Sequence, residues 1–148
     1  MSVVVPTFRE GSQIREVLDH VAALPGRWEV VVADGASDDA TAALAEAHPS
    51  RPRVLRSGGG RAAQCNDALA LVTGDVVLVL HADSRLPHDA HARIAAALQR
   101  RPGVVGGNFA LRFDGADRFS RLLTAWYALQ RRGGWYYGDS SVWCTRSA

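Results

Sequence analysis

A chain of 148 residues, 47% hydrophobic and 22% charged, is one globular domain at most and long enough to bury a core. Its net charge of +2 excludes a global field for nucleic acid. The charge is nevertheless uneven: residues 1–99 hold nine Arg against twelve acids, whereas residues 100–148 hold eight Arg against three acids, and there is no Lys.

In chain order the pattern alternates strand and helix. A strand at 2–5 runs through Pro6 and Thr7 into a helix at about 12–24. A second strand at 28–34 ends on Asp34, and Ser37 or Asp38 is placed to cap a helix at about 39–48. A weak strand, Arg53–Arg56, precedes a triple glycine at 58–60 and an Ala-rich helix at about 61–73. A short apolar run at 75–81 reads as a strand buried on both faces; a helix at about 88–101 and an extended segment at 103–112 follow. Four βα repeats predict parallel strands, right-handed crossovers and helices on both faces of the sheet.

Beyond Asp114 the pattern changes. Phe119, Leu122, Leu123, Trp126 and Leu129 recur at helical spacing across 117–132, flanked by Arg118, Arg121, Arg131 and Arg132. Such a stripe predicts core packing, with a membrane surface as the alternative. An aromatic loop follows (Trp135, Tyr136, Tyr137), then a strand at 141–145; the loop suits stacking on a sugar or an apolar acceptor, whereas Trp126 and Trp143 are expected in the core. Cys65 and Cys144 have no metal-ligand spacing and are too few for a disulfide framework, which favours a reducing compartment. The chain enters a strand at once, without a signal-peptide pattern, and no apolar run reaches membrane-spanning length; a cytoplasmic location, on its own or peripheral to the inner face of a membrane, is expected.

The chemistry gathers at strand ends. In open α/β sheets ligands bind beyond the carboxyl ends of parallel strands, where this pattern puts Asp34 and Asp83. A carboxylate there suits Mg²⁺ or Mn²⁺, which take one or two carboxylates plus substrate phosphate oxygens. On a regular strand His81 shares the face of Asp83. Asp34 can accept from a base imide or a ribose hydroxyl; Asp38 and Asp39 open a helix, where the dipole favours acids. Gly58-Gly-Gly-Arg61 opens another helix, whose N-terminus and fixed guanidinium suit phosphate. Gly58, Gly60 and Ala63 also match a dinucleotide fingerprint, but on the third βα unit rather than the first.

Together these segments resemble the family 2 glycosyltransferases. The matching residues are Val3–Glu10 with Pro6 and Thr7, Val31–Thr41 with Asp34 and Asp38, Gly60–Asn66 with Arg61 and Gln64, and Leu80–Ser84 with His81 and Asp83. The resemblance implies an α/β, GT-A (Rossmann-like), mostly parallel sheet flanked by helices and incomplete at its C-terminal acceptor side. One domain is implied, with a nucleotide-sugar half at 1–112 and the start of an acceptor-side half at 113–148. Pro6, Thr7, Glu10 and Asp34 would line the nucleoside pocket, Arg61 would face the diphosphate, Asp83 would hold a Mg²⁺ or Mn²⁺ ion, and Asp38, Gln64 and His81 would belong to the same nucleotide-sugar site. The partners implied are a nucleoside-diphosphate sugar and an unidentified acceptor, with no nucleic acid and with 117–132 as the candidate membrane contact. In this family the base of an inverting transfer usually lies in a later Glu-Asp pair. Asp139 is the only acid after Asp117, so it is the candidate base within the chain, and the sequence reads as truncated. The His-Ala-Asp-Ser form and Tyr137-Gly-Asp139 resemble a small bacterial subgroup associated with arsenosugar biosynthesis. The rival expectations are a donor-binding remnant without turnover and a dinucleotide-dependent oxidoreductase.

Overall fold

The computed structural model describes residues 1–136 and 140–148. Its strands are β1 (Ser2–Thr7), β2 (Glu29–Asp34), β3 (Arg53–Arg56), β4 (Val76–Val79), β5 (Gly106–Asn108) and β6 (Val142–Thr145). Its helices are α1 (Ile14–Ala23), α2 (Thr41–Glu46), α3 (Arg61–Leu69), α4 (Ala90–Arg100) and α5 (Arg118–Arg132). One sheet runs in the order β3-β2-β1-β4-β6-β5. β1 to β4 are parallel to one another, as the βα repeats predict, and β6 runs antiparallel to both β4 and β5.

The central strands are apolar on both faces because helices cover both. Val3, Val5, Val32 and Leu78 pack with Ile14, Val17, Leu18 and Val21 of α1, Ala45 of α2 and Ile94 of α4. Val4, Val31, Ala33 and Val77 meet Ala68 of α3 on the other side. A side-chain period of two on strands and 3.6 on helices is what brings these sets together. Trp143 joins the first core as expected, being 6% exposed. Its indole lies against β5 at Gly107, where an added Cβ would come 2.8 Å from the ring.

Two local expectations are corrected. Neither Ser37 nor Asp38 caps α2: their side chains are engaged by Asp34 and Arg9, and Asp39 Oδ1 instead accepts from Thr41 N at 3.0 Å. The second correction concerns α5, which has no buried residue. Phe119, Leu122, Trp126 and Leu129 are 67, 66, 54 and 58% exposed, so this stripe, Trp126 included, is not core. The helix is held by its other side: Phe113 N donates to Thr124 Oγ1 (3.1 Å), Phe113 and Tyr127 rings meet edge to face, and Arg131 reaches Asn108 Oδ1 at 2.8 Å.

Candidate active site

Parallel strands of unequal length leave their carboxyl ends beside a cleft of about 1480 Å³. Into it come Pro6 and Thr7 from β1, Glu10 from the turn entering α1, Arg61 and Gln64 from α3, and His81 and Asp83 from the turn after β4. The cleft therefore sits at the edge between β1 and β4, where the strand order reverses, the usual ligand position in such sheets. Seven residues proposed from sequence converge here.

Two do not line it. Asp34 is completely buried behind Thr7. Its Oδ1 accepts from Ser37 Oγ at 2.6 Å and Thr7 Oγ1 at 3.3 Å, and its Oδ2 accepts from Ser37 N at 2.9 Å. Burying a carboxylate is costly unless several donors satisfy it; the turn after β2 supplies two through Ser37, and the end of β1 a third through Thr7. Asp38 lies outside the cleft in an exposed bidentate pair with Arg9, at 2.7 and 2.6 Å. That guanidinium, by hydrogen bond first and charge second, holds the Asp38 carboxyl below its usual range. Asp139 lies outside the described residues.

Gln64 ties the strand ends together. Its buried Nε2 donates to Thr7 O at 2.6 Å and to Ala33 O at 2.7 Å, bridging β1 and β2 just under the cleft floor. Gly35 is required beside it, since a Cβ there would lie 2.9 Å from Gln64 Nε2 and 3.2 Å from Thr7 O. Arg9 (φ 56°) and Ala36 (φ 59°) hold left-handed backbone in the two loops over β1 and β2. Such strain in non-glycine residues collects where a fold shapes a ligand site.

β4 ends at Val79, so His81 and Asp83 occupy a turn rather than alternate positions of a strand, closed by Ser84 N donating to His81 O at 3.0 Å. The turn separates them: His81 is buried and Asp83 exposed to the cleft, its Oδ1 accepting from Ser84 Oγ at 3.2 Å. Two contacts from α1 hold the following residues. Leu86 N donates to His20 Nε2 at 3.0 Å, and Arg85 pairs with Glu16 at 2.5 Å. Burial, then the Arg85 cation, pushes the His20 imidazole down, which keeps it a neutral acceptor.

Arg61 stands at the first turn of α3, preceded by Gly59 (φ 93°) and Gly60 (φ 85°), whose missing side chains leave the helix N-terminus open towards the cleft. An N-terminal helix turn and a guanidinium favour an anion in the same place. Among the described residues no three His, Cys, Asp or Glu side chains form a self-sufficient metal cage. An exposed carboxylate lining the same cleft as an anion-attracting helix end nevertheless fits a hard divalent ion that takes its remaining ligands from phosphate and water.

The opposite wall was not foreseen. Phe109, Leu111, Arg112, Phe113 and Tyr127 line it, with Ser140 and Ser141 at its base. The segment after β5 reads as a continued strand, but pairing stops at Asn108. The alternation of Phe109, Leu111 and Phe113 was the available signal. Trp135 and Tyr136, the expected stacking aromatics, are exposed and do not line this cleft, and Tyr137 lies outside the described residues.

Comparison with known proteins bears on the family and the fold. A mannosyltransferase from Pyrobaculum calidifontis, solved in complex with GDP-Man and Mn²⁺, superposes with a TM-score of 0.73 at 27% identity, covering 99% of this chain and 44% of that one. Mannosyl-3-phosphoglycerate synthase from Rubrobacter xylanophilus shares the fold with a TM-score of 0.69 at 22% identity, over 99% of this chain and 53% of its own. The undecaprenyl-phosphate 4-deoxy-4-formamido-L-arabinose transferase of Pseudomonas savastanoi pv. phaseolicola is 31% identical over 146 residues, 90% of this chain and 43% of the relative. The chain thus spans less than half the length of the curated relatives it matches. The sheet and its flanking helices are those of the GT-A glycosyltransferases. Residues 2–145 match the family described as glycosyl transferase family 2, and the chain belongs to that family.

Proposed function

We propose that this chain is the donor-binding part of a glycosyltransferase that moves a sugar from a nucleoside diphosphate to an acceptor. The observation that carries the reading is the meeting of Thr7, Arg61 and Asp83, from three separate βα units, in one cleft. In this reading residues 1–112 form the donor half and 113–148 belong to an acceptor side. Pro6, Thr7 and Glu10 line the nucleoside end. Asp34 fixes the Thr7 hydroxyl from behind, and direct contact between Asp34 and a base requires Ser37 to give up its hydrogen bonds. Arg61 and the open first turn of α3 receive the diphosphate. Gln64 keeps the strand ends at their spacing, and His81 lines the cleft at the start of the turn that presents Asp83.

Asp83 would hold a Mn²⁺ or Mg²⁺ ion, which when bound offsets the negative charge growing on the departing diphosphate. Transfer with inversion proceeds by attack of an acceptor oxygen on the anomeric carbon, the bond to the diphosphate breaking as the new bond forms. The acceptor would enter from the wall of Phe109, Leu111, Phe113 and Tyr127, where apolar surface excludes water and Arg112 suits an anionic group. The Pseudomonas relative, named for undecaprenyl phosphate, favours such an amphiphilic acceptor over the arsenosugar route. The dinucleotide reading loses its ground because the triple glycine follows β3, an edge strand.

Calorimetric titration with UDP and GDP, with and without Mn²⁺, tests the reading. Metal-dependent binding of one nucleotide, lost in Asp83→Ala with an unchanged melting temperature, is expected. No binding of either nucleotide would overturn it, and binding without sugar transfer or donor hydrolysis would reduce the chain to a donor-binding module.

A further inference from the structure

We infer that the outer face of α5 docks on an anionic lipid surface. Three features of the helix carry this, none of which depends on the reaction proposed above. First, the helix is attached by Thr124, Tyr127 and Arg131, one side of the wheel. Phe119, Leu122, Trp126 and Leu129 recur at helical spacing on the side turned away, all more than half exposed. The stripe spans about 15 Å at the α-helical rise. It is the reverse of a packed amphipathic helix, whose apolar side faces its own core.

Second, the polar residues bordering the stripe have one sign. Arg118, Arg121 and Arg132 are exposed, and between Arg118 and Arg132 the helix carries no acid. Asp117 is committed to the N-cap, accepting from Ser120 N at 2.9 Å. An apolar stripe bordered by arginines complements acyl chains under phosphate headgroups. The same border opposes antiparallel self-association, because a two-fold axis across the helices sets Arg118, Arg121 and Arg132 of both copies along one seam. Third, the aromatic content suits the depth: Trp126 on the helix and Trp135 just beyond its end, 54 and 68% exposed, are the side chain favoured at a membrane–water boundary. No helix among the described residues is long and apolar enough to cross a membrane, so the contact is one of lying on the surface.

Co-sedimentation with phosphatidylcholine vesicles, with and without phosphatidylglycerol, tests the inference, using Trp fluorescence as a second readout. The chain is expected to pellet with the anionic vesicles only, with a blue-shifted emission and a release that grows with salt. Each arginine near such a surface counts roughly fivefold, so Arg118→Gln, Arg121→Gln and Arg132→Gln combined should weaken partitioning roughly a hundredfold. Leu122→Ser with Trp126→Ser should abolish it at an unchanged melting temperature. Failure to bind anionic vesicles, equal binding to neutral ones, or a concentration-dependent dimer that Trp126→Ser dissociates would each overturn the assignment. Nucleotide binding measured alongside separates that failure from failure of the transferase reading.

Discussion

α1 and α5 carry the same kind of sequence and meet opposite fates. Both have apolar residues at helical spacing with charges between them. In α1, Ile14, Val17, Leu18 and Val21 are at most 1% exposed, pressed on β1, β2 and β4. In α5 the equivalent stripe is open to solvent. Periodicity reports that a helix has an apolar side; it does not report what that side faces. The difference follows from connectivity. α1 is a crossover between adjacent parallel strands and must lie across the sheet, whereas α5 links two antiparallel neighbours, β5 and β6, and is free to stand off.

The sharpest way to break this contrast is a matched pair of truncations. Leu18→Ala should cost about 2–5 kcal/mol, the range for a fully buried leucine. Leu122→Ala should change stability by no more than about 0.5 kcal/mol, as at an ordinary surface site. Urea unfolding of both measures the difference; equal losses would mean that α5 packs after all.

A smaller effect is expected where the buried half meets the cleft. Gln64→Leu removes both donors bridging β1 and β2 and leaves the Thr7 and Ala33 carbonyls short of a partner, at about 1–3 kcal/mol. Because those carbonyls end the strands that carry Thr7 and Asp34, nucleotide affinity should fall with stability; unaltered affinity would separate the strand ends from the site.

The smallest effect is a pH slope. Burial and Arg85 hold the His20 imidazole below 6.5 in the folded chain, so on acidification the unfolded chain takes up the proton first. The stability that neutral His20 contributes is complete above pH 6.5 and is lost as pH falls through the depressed folded value. Wild type should therefore weaken from pH 7.5 towards acid more steeply than His20→Asn in denaturant titrations, and parallel slopes would release the turn after β4 from His20.

How much of this was legible in the sequence depended on whether the deciding contact was local. The βα order, the strand-end position of Asp34 and the glycine turn before Arg61 follow from short-range patterns, and the structure keeps them. The environment of Asp34 was not legible, because its burial depends on Ser37 from the loop after β2 and Thr7 from the neighbouring strand closing over it. His81 and Asp83 were assigned one face of a strand that stops at Val79, beyond which the chain turns. The wall of Phe109 to Phe113 was missed because nothing local to β5 announces where its pairing ends. In each case a partner distant in sequence decided the outcome.

Hydrogen exchange, with and without GDP or UDP plus Mn²⁺, tests the central claim most directly, because it reads both regions of the molecule in one measurement. The account predicts added protection at residues 6–10, 59–64 and 81–86, whose side chains and turns surround the cleft, with no change along α5. Protection confined to α5, or absent from the turn carrying Asp83, would contradict it.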